Sequence, residues 1–201
     1  MSPWYDRLAG CSEKRYREAG LKMLSVREGE RVLEIGFGTG SSLSALAHAA
    51  GRGGMVYGID ISDRMRQIAV SRMKREGLEE QVELICGDAA ALPCVDTFFD
   101  AVFICFTLEL FDTPEIPMVL NECKRVLKSG GRICLVALSR RGKERLMVSL
   151  YEWAHRRFPA AVDCRPIYVQ EALEGAGFKI FKAEDYVMWG LPVEIVLAMK
   201  E

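Results

Sequence analysis

An α/β fold, with a mainly parallel sheet and helices on both faces, is the fold class this sequence predicts, and three observations predict it. Strand-length apolar runs alternate with helix-like segments from Val32 to Leu138. The first run empties directly into a turn with glycines at 36, 38 and 40, and the next two both end beside an aspartate. Such alternation is how a chain encodes successive β-α-β units.

In chain order, Ser12 caps a helix reaching about Leu24, the body of an N-terminal helical cap over about 1–28 that has to lie over the ligand end of the sheet. Val32 to Ile35 is a buried strand, and the small and apolar residues from Ser41 onward form its crossover helix. Met55 to Asp60 is the second strand, and Ser62 caps the helix after it. Val82 to Cys86, Phe99 to Phe106 and Arg132 to Leu138 are strands three to five, and Ser129-Gly130-Gly131 stops a helix running from Pro114 to Leu127. Arg140, Arg141, Lys143 and Arg145 then lead a helix from about Arg140 to Phe158, with Leu146, Met147, Leu150 and Tyr151 on one face. A last helix from Glu171 to Ala176 ends at Gly177, before an antiparallel pair, Phe178 to Met188 and Val193 to Met199. No repeat or linker interrupts the series, so residues 1–201 read as one domain.

At 201 residues and 50% hydrophobic content the chain can bury one core. A net charge of −1 is not that of a protein wrapping nucleic acid, and no nucleic-acid partner is expected. The longest apolar runs are strand-length and no leader-like segment is visible, so the expected location is the cytoplasm. Seven cysteines without a C-x-x-C pair suggest neither a disulfide framework nor a metal site. Cys86, Cys105 and Cys134 are expected as small core residues, and Cys94 as structural.

Glycines at 36, 38 and 40 let the backbone turn tightly and let a ligand touch the main chain with no Cβ in the way. A dinucleotide fingerprint, G-x-G-x-x-G, needs a third glycine where this chain has Ser41 or Leu43, depending on register. No Gly-Lys-Ser/Thr follows, so a phosphate loop is missing too. What stands there is E-x-G-x-G-x-G, from Glu34 to Gly40. Asp60 lies 24 positions after Gly36, where a nucleotide-binding β-α-β unit places the acid that accepts two ribose hydroxyls. Ile61 and Met65, around the start of the next helix, are apolar candidates for packing an adenosine, and Gly87-Asp88-Ala89 follows strand three.

These motifs, in this order, resemble the class I S-adenosylmethionine-dependent methyltransferases, and the phrase Arg125-Val126-Leu127-Lys128-Ser129-Gly130-Gly131-Arg132 is typical of their small-molecule branch. The resemblance is strongest to the branch of ubiquinone and menaquinone biosynthesis methyltransferases and phospholipid amine methyltransferases. It implies a Rossmann-like seven-stranded sheet in the order 3-2-1-4-5-7-6, with only strand 7 antiparallel, and S-adenosylmethionine as cofactor. Carried over residue by residue, it implies cofactor contacts from Glu34, Gly36, Phe37, Gly38, Gly40, Asp60, Ile61, Met65, Asp88, Ala89, Phe106 and Thr107, with Asp88 accepting the adenine amine. Trp4-Tyr5-Asp6 resembles the N-terminal Tyr-Asp of that branch, whose tyrosine closes over the methionine end. Tyr5 either does this, as a cofactor contact and catalytic-site member, or anchors the N-terminal helix. The cofactor's ammonium and sulfonium suit carbonyls and a carboxylate such as Glu34 better than a nest of N–H donors.

Beyond strand four the chain departs from the pattern. Quinone C-methyltransferases carry an Arg-Asn pair there, whereas this chain has Phe106-Thr107-Leu108-Glu109-Leu110-Phe111-Asp112, and it lacks Asp/Asn-Pro-Pro-Tyr/Phe. The resemblance therefore implies a small-molecule acceptor without naming it. Transfer from a sulfonium needs alignment and desolvation first, and a base only if the acceptor must lose a proton. Glu109 is the catalytic candidate, as that base or as the binder of a cationic amine; a solvated carboxylate at a helix start is the plain alternative. His48 and His155 read as packing or surface residues. Met147, Tyr151 and Trp153 between basic ends point to a hydrophobic or amphiphilic acceptor and a peripheral lipid contact, if the 140–158 helix faces the acceptor; an ordinary outer helix is the alternative. Two functions stand: an active small-molecule methyltransferase, favoured by the intact acids at 34, 60 and 88, or a protein of that fold which binds S-adenosylmethionine without catalysis.

Overall fold

Strand β1 (Arg31–Ile35) buries its last four residues, as an apolar run must when helices cover both faces of a parallel sheet. The structure, a computed structural model, describes residues 3–141 and 165–201. The other strands are β2 (Met55–Asp60), β3 (Val82–Cys86), β4 (Phe99–Cys105), β5 (Leu127–Leu138), β6 (Lys179–Met188) and β7 (Leu191–Met199). They form one seven-stranded sheet ordered β3-β2-β1-β4-β5-β7-β6. Only β7 runs against its neighbours β5 and β6, as the resemblance implied.

Among the described residues the α-helices that pack on this sheet are α1 (Pro3–Leu24), α2 (Ser41–Ala50), α3 (Asp63–Glu76), α4 (Ile116–Val126) and α5 (Val169–Gly175). One core layer joins Tyr16 and Leu24 of α1, Leu43 and Leu46 of α2 and Met73 of α3 to the sheet; the opposite layer holds Val119 and Leu120 of α4 and Leu173 of α5. Ser62 caps α3 as expected, accepting from the Met65 N–H at 3.3 Å.

Several boundaries differ from expectation. Helix α1 begins at Pro3, so Ser12 lies inside it rather than capping it. Strand β5 begins at Leu127 because Ser129-Gly130-Gly131 stays within the strand: Gly130 takes φ 74°, and the register against β4 shifts between Phe99 and Ala101. The glycines make an irregularity in the strand and not a stop. Helix α4 starts at Ile116 and α5 at Val169. Cys134 is buried, Cys105 half-buried, but Cys86 is exposed, because β3 is an edge strand, and its thiol faces the Ile61 carbonyl at 3.5 Å. The expected helix from about Arg140 to Phe158, with His155, lies outside the described residues from 142 onward.

Helix α1 lies along β5. Its last turn meets the middle of that strand, where Arg132 donates to the Leu24 carbonyl at 2.7 Å and pairs with Glu30. At the other end the Tyr16 hydroxyl donates to the Val187 carbonyl at 2.5 Å, at the close of β6. The first half of α1 is thereby aimed at the carboxyl edge of the sheet.

Gly58, on β2, is where the second strand passes under the glycine turn. A Cβ there would stand 2.7 Å from Phe37 Cδ1 and 2.9 Å from Leu84 Cδ2. Gly58→Ala is therefore expected to overpack the core and cost about 1–3 kcal/mol, read as a lower urea midpoint. An unchanged midpoint would show that Phe37 is free to move aside.

Candidate active site at the carboxyl edge of the sheet

Parallel pairing of β1 with β2 and with β4 brings three connections side by side at the carboxyl edge: the 36–40 turn, Asp60 to Ser62, and Phe106 to Glu109. The three glycines of the turn serve different ends. Gly36, at φ 71°, donates to the Ile59 carbonyl at 2.8 Å, and its missing Cβ is the space that Thr107 fills. Gly40 (φ 80°) lets the start of α2 approach Ala69 of α3. Gly38 (φ 52°) has nothing within 4 Å of where a Cβ would stand, so it is the glycine whose backbone a ligand can reach.

Asp60 joins two of the connections. One carboxylate oxygen accepts from the Gly38 N–H and the other from the Ser62 N–H, each at 2.9 Å. Its carbonyl accepts from Gly87 N–H at 3.0 Å, which adds the loop after β3. There Asp88 is exposed and accepts from the Ala90 N–H at 2.8 Å, next to buried Ala89. Ile61 stands 79% exposed beside half-buried Met65, an apolar wall open on one side. Phe37 is buried against Gly58.

At the end of β4, Phe106 adopts φ 50°, a left-handed conformation that costs a non-glycine residue on the order of 1 kcal/mol. It is held by its N–H to the Val136 carbonyl (2.8 Å) and by edge-on packing against Tyr16. The reversal points the next residues over β1. Thr107 donates to the Cys105 carbonyl at 3.0 Å and lies 3.4 Å from that of Gly36. Glu109 is not the solvated carboxylate of the plain alternative. It is 1% exposed, accepts from the Leu138 N–H at 3.1 Å through Oε1, and has no partner for Oε2.

Glu34, 2% exposed, likewise has an Oε2 without a partner. Burial pushes its carboxyl up to about 8; a hydrogen bond with Ser42 and the Arg17 charge oppose this, and Asp60 reinforces it. Burial similarly lifts Glu109 to about 7, against the hydrogen bonds from its own backbone and Leu138 and with the help of Glu13. Loss of solvation and the fields of Glu34 and Glu109 keep the Cys105 thiol well above its usual range, protonated and inert.

Sequence reasoning missed the contribution of α1. Glu13 and Arg17 act electrostatically on this edge, Arg17 on Glu34, Glu13 on Glu109, and both on Cys105. Their spacing of four puts them on one helix face, a signal visible in the sequence but attributable to the site only once α1 is placed. Tyr5 falls on α1, with its side chain outside what is described. His48 is exposed, its ring nitrogen 2.6 Å from the Ser44 carbonyl. Among the described residues no group of His, Cys, Asp or Glu is arranged to hold a metal, and no helix is long and apolar enough to cross a membrane.

Residues 32–131 match a family model described as a methyltransferase domain. The chain is 43% identical over 124 residues to the demethylmenaquinone methyltransferase of Bacillus mycoides (strain KBAB4), covering 61% of this chain and 51% of that protein. It is 38% identical over 140 residues to the protein of the same name from Geobacillus kaustophilus (strain HTA426), covering 67% and 58%. The chain thus spans little more than half the length of the curated relatives it matches. Among solved structures it resembles a SAM-dependent methyltransferase from Aquifex aeolicus, with a TM-score of 0.68, 24% identity and coverage of 92% and 89%. It also resembles the cyclase SpnF, with a TM-score of 0.75, 22% identity and coverage of 92% and 80%. At such identities the likeness is one of fold, and the fold does not decide the reaction.

Proposed function

We propose that this chain is a class I S-adenosylmethionine-dependent methyltransferase, a reading supported by the methyltransferase-domain match at residues 32–131, and that it methylates a small apolar acceptor at the carboxyl edge of the sheet. One observation carries this reading. Among the described residues, the buried side-chain oxygens left without a hydrogen-bond partner are Oε2 of Glu34 and Oε2 of Glu109, and both belong to this edge. Native interiors rarely leave such groups unpartnered, and a cationic ligand beside Glu34 with an acceptor beside Glu109 would supply the two missing partners.

The residues present fit the cofactor. Glu34 receives its ammonium end, the open backbone at Gly38 lies along it, Asp60 and Asp88 take the ribose and adenine, and Ile61 and Met65 cover the base. Bound there, the cofactor supplies a methyl group on a positively charged sulfur. Thr107 and Phe106, fixed by the left-handed turn, hold the acceptor side in register, and burial excludes water from Glu109. With its carboxyl near 7, Glu109 can take a proton from an acidic acceptor or hold one toward it. The relatives' name makes a quinone-like acceptor the first compound to assay. Tyr5 belongs to the proposed site as the group closing over the methionine end.

Glu109→Gln is expected to lower kcat about a hundredfold or more while S-adenosylhomocysteine affinity stays within about twofold. Full activity in this variant would remove Glu109 from the chemistry. A binding protein without catalysis would give no transfer to any acceptor from labelled S-adenosylmethionine in a metabolite screen.

The buried acids also set a pH dependence. Folding lifts the Glu34 carboxyl from 4.5 to about 8, so between those values the folded chain holds a proton that the unfolded chain has lost. Stability in the absence of ligand therefore falls as pH rises from about 4.5 through about 8, and Glu109 adds to the fall up to about 7. A cationic ligand favours the ionised carboxylate, so S-adenosylmethionine affinity rises over the same range and binding releases a proton. Calorimetry at pH 7 in buffers of different ionisation heat should show that release, and Glu34→Gln should remove it. Heats independent of the buffer would mean that Glu34 does not face the cofactor.

A further inference from the structure

A groove of about 620 Å3 runs along the outer face of α3, behind the glycine turn. Arg64, Gln67, Ser71, Arg72 and Arg75 line it from α3, at the spacing of one helical stripe, and Thr39 faces them from the turn. Ile68, 40% exposed, is its single apolar lining residue. Every polar side chain of the lining carries a hydrogen-bond donor, and no carboxylate is among them.

Two acids adjoin the lining: Asp63 accepts from Arg66 and from Gln67 of the lining, and Glu76 pairs with Arg72 at 3.2 Å. Arg72 is already oriented, donating to the Thr39 carbonyl at 3.1 Å and the Ser41 hydroxyl at 2.6 Å. Arg64 and Arg75 make no hydrogen bond or ion pair with any described residue, although the Arg75 charge is felt at Glu76. Two guanidiniums without a hydrogen-bond or ion-pair partner among the described residues flank a fixed third, an arrangement that recognises phosphate oxygens, while the Gln67 amide donates to Asp63 and the Ser71 hydroxyl to the Gln67 carbonyl at 2.9 Å.

We propose that this groove binds a phosphate-bearing anion, bridged between Arg64 and Arg75 with Arg72 and Thr39 as its floor. Eleven residues of helix set the Cα atoms of the two outer arginines about 16 Å apart along the axis, so both long side chains reach inward to share one ligand, and a diphosphate offers them two charged ends. A ligand there lies beside Thr39 of the 36–40 turn.

The probe is inorganic pyrophosphate, titrated calorimetrically at low salt into the wild-type chain and into Arg64→Gln/Arg75→Gln. Wild type is expected to bind it, and the double variant to bind at least about tenfold more weakly, with S-adenosylhomocysteine affinity unchanged as the sign of an intact fold. A second arm uses phosphatidylcholine vesicles with and without phosphatidylglycerol. Binding to the anionic vesicles that the double variant loses identifies a lipid headgroup as the source of the phosphate; pyrophosphate binding without vesicle binding identifies a free phosphorylated compound. No binding of either probe by wild type, or equal binding by the double variant, overturns the proposal.

Discussion

Gly36→Val is expected to destroy the site, with S-adenosylhomocysteine affinity reduced more than about a hundredfold and stability lowered by about 3 kcal/mol or more. Two costs combine. A β-branched residue would have to adopt φ 71°, and its Cβ would stand 2.2 Å from Thr107 Cγ2 and 2.3 Å from its Oγ1. Thr107 can give way only by breaking its hydrogen bond to the Cys105 carbonyl, which swings the segment leading to Glu109 off β1. Gly38→Ala is the informative contrast. That glycine has φ 52° but open space at its Cβ, so stability should fall by only about 1–2 kcal/mol while binding still suffers. Urea denaturation and calorimetry on both variants separate the two effects. Equal stability losses would mean that the Thr107 contact does not hold the turn.

Asp60→Ala is expected to weaken S-adenosylhomocysteine binding ten- to a hundredfold, a loss of about 1.5–3 kcal/mol in charge-assisted hydrogen bonds. The carboxylate already accepts the Gly38 and Ser62 N–H groups, so it reaches the ligand through its remaining lone pairs while holding the turn against the start of α3. Its removal thus loosens the turn as well as the ribose contact. Asp60→Asn keeps one acceptor oxygen and should fall between wild type and alanine. Wild-type affinity in the alanine variant would move the ribose elsewhere.

What the sequence disclosed follows from which interactions are local. The ranges of β2 and β3 were readable to the residue because a strand in a parallel sheet is an apolar run bounded by turn chemistry. The positions of the glycine turn, Asp60 and Asp88 at the carboxyl ends of β1, β2 and β3 were readable because their spacing is set by consecutive β-α-β units. Other features depend on distant partners. Glu109 was placed correctly beyond β4, but its burial comes from the Leu138 N–H and from Arg165, whose N–H meets the Glu109 carbonyl at 3.1 Å. Gly130 and Gly131 read as a helix stop, yet Lys200 from the far end of the chain pairs with both and keeps them in the sheet. The beginning of α1 was missed because Gly10, a weak helix former, stands just before Ser12, which offered a ready cap, and the reach of Arg17 to Glu34 became visible only with the helix laid along β5.

Titration with S-adenosylhomocysteine, with NAD as the competing hypothesis, tests the central claim most directly. At pH 8, where about half of Glu34 is ionised before ligand arrives, one-to-one binding of S-adenosylhomocysteine that Asp60→Ala weakens is expected, and no measurable heat with NAD. Binding of NAD in place of S-adenosylhomocysteine, or of neither, would contradict it.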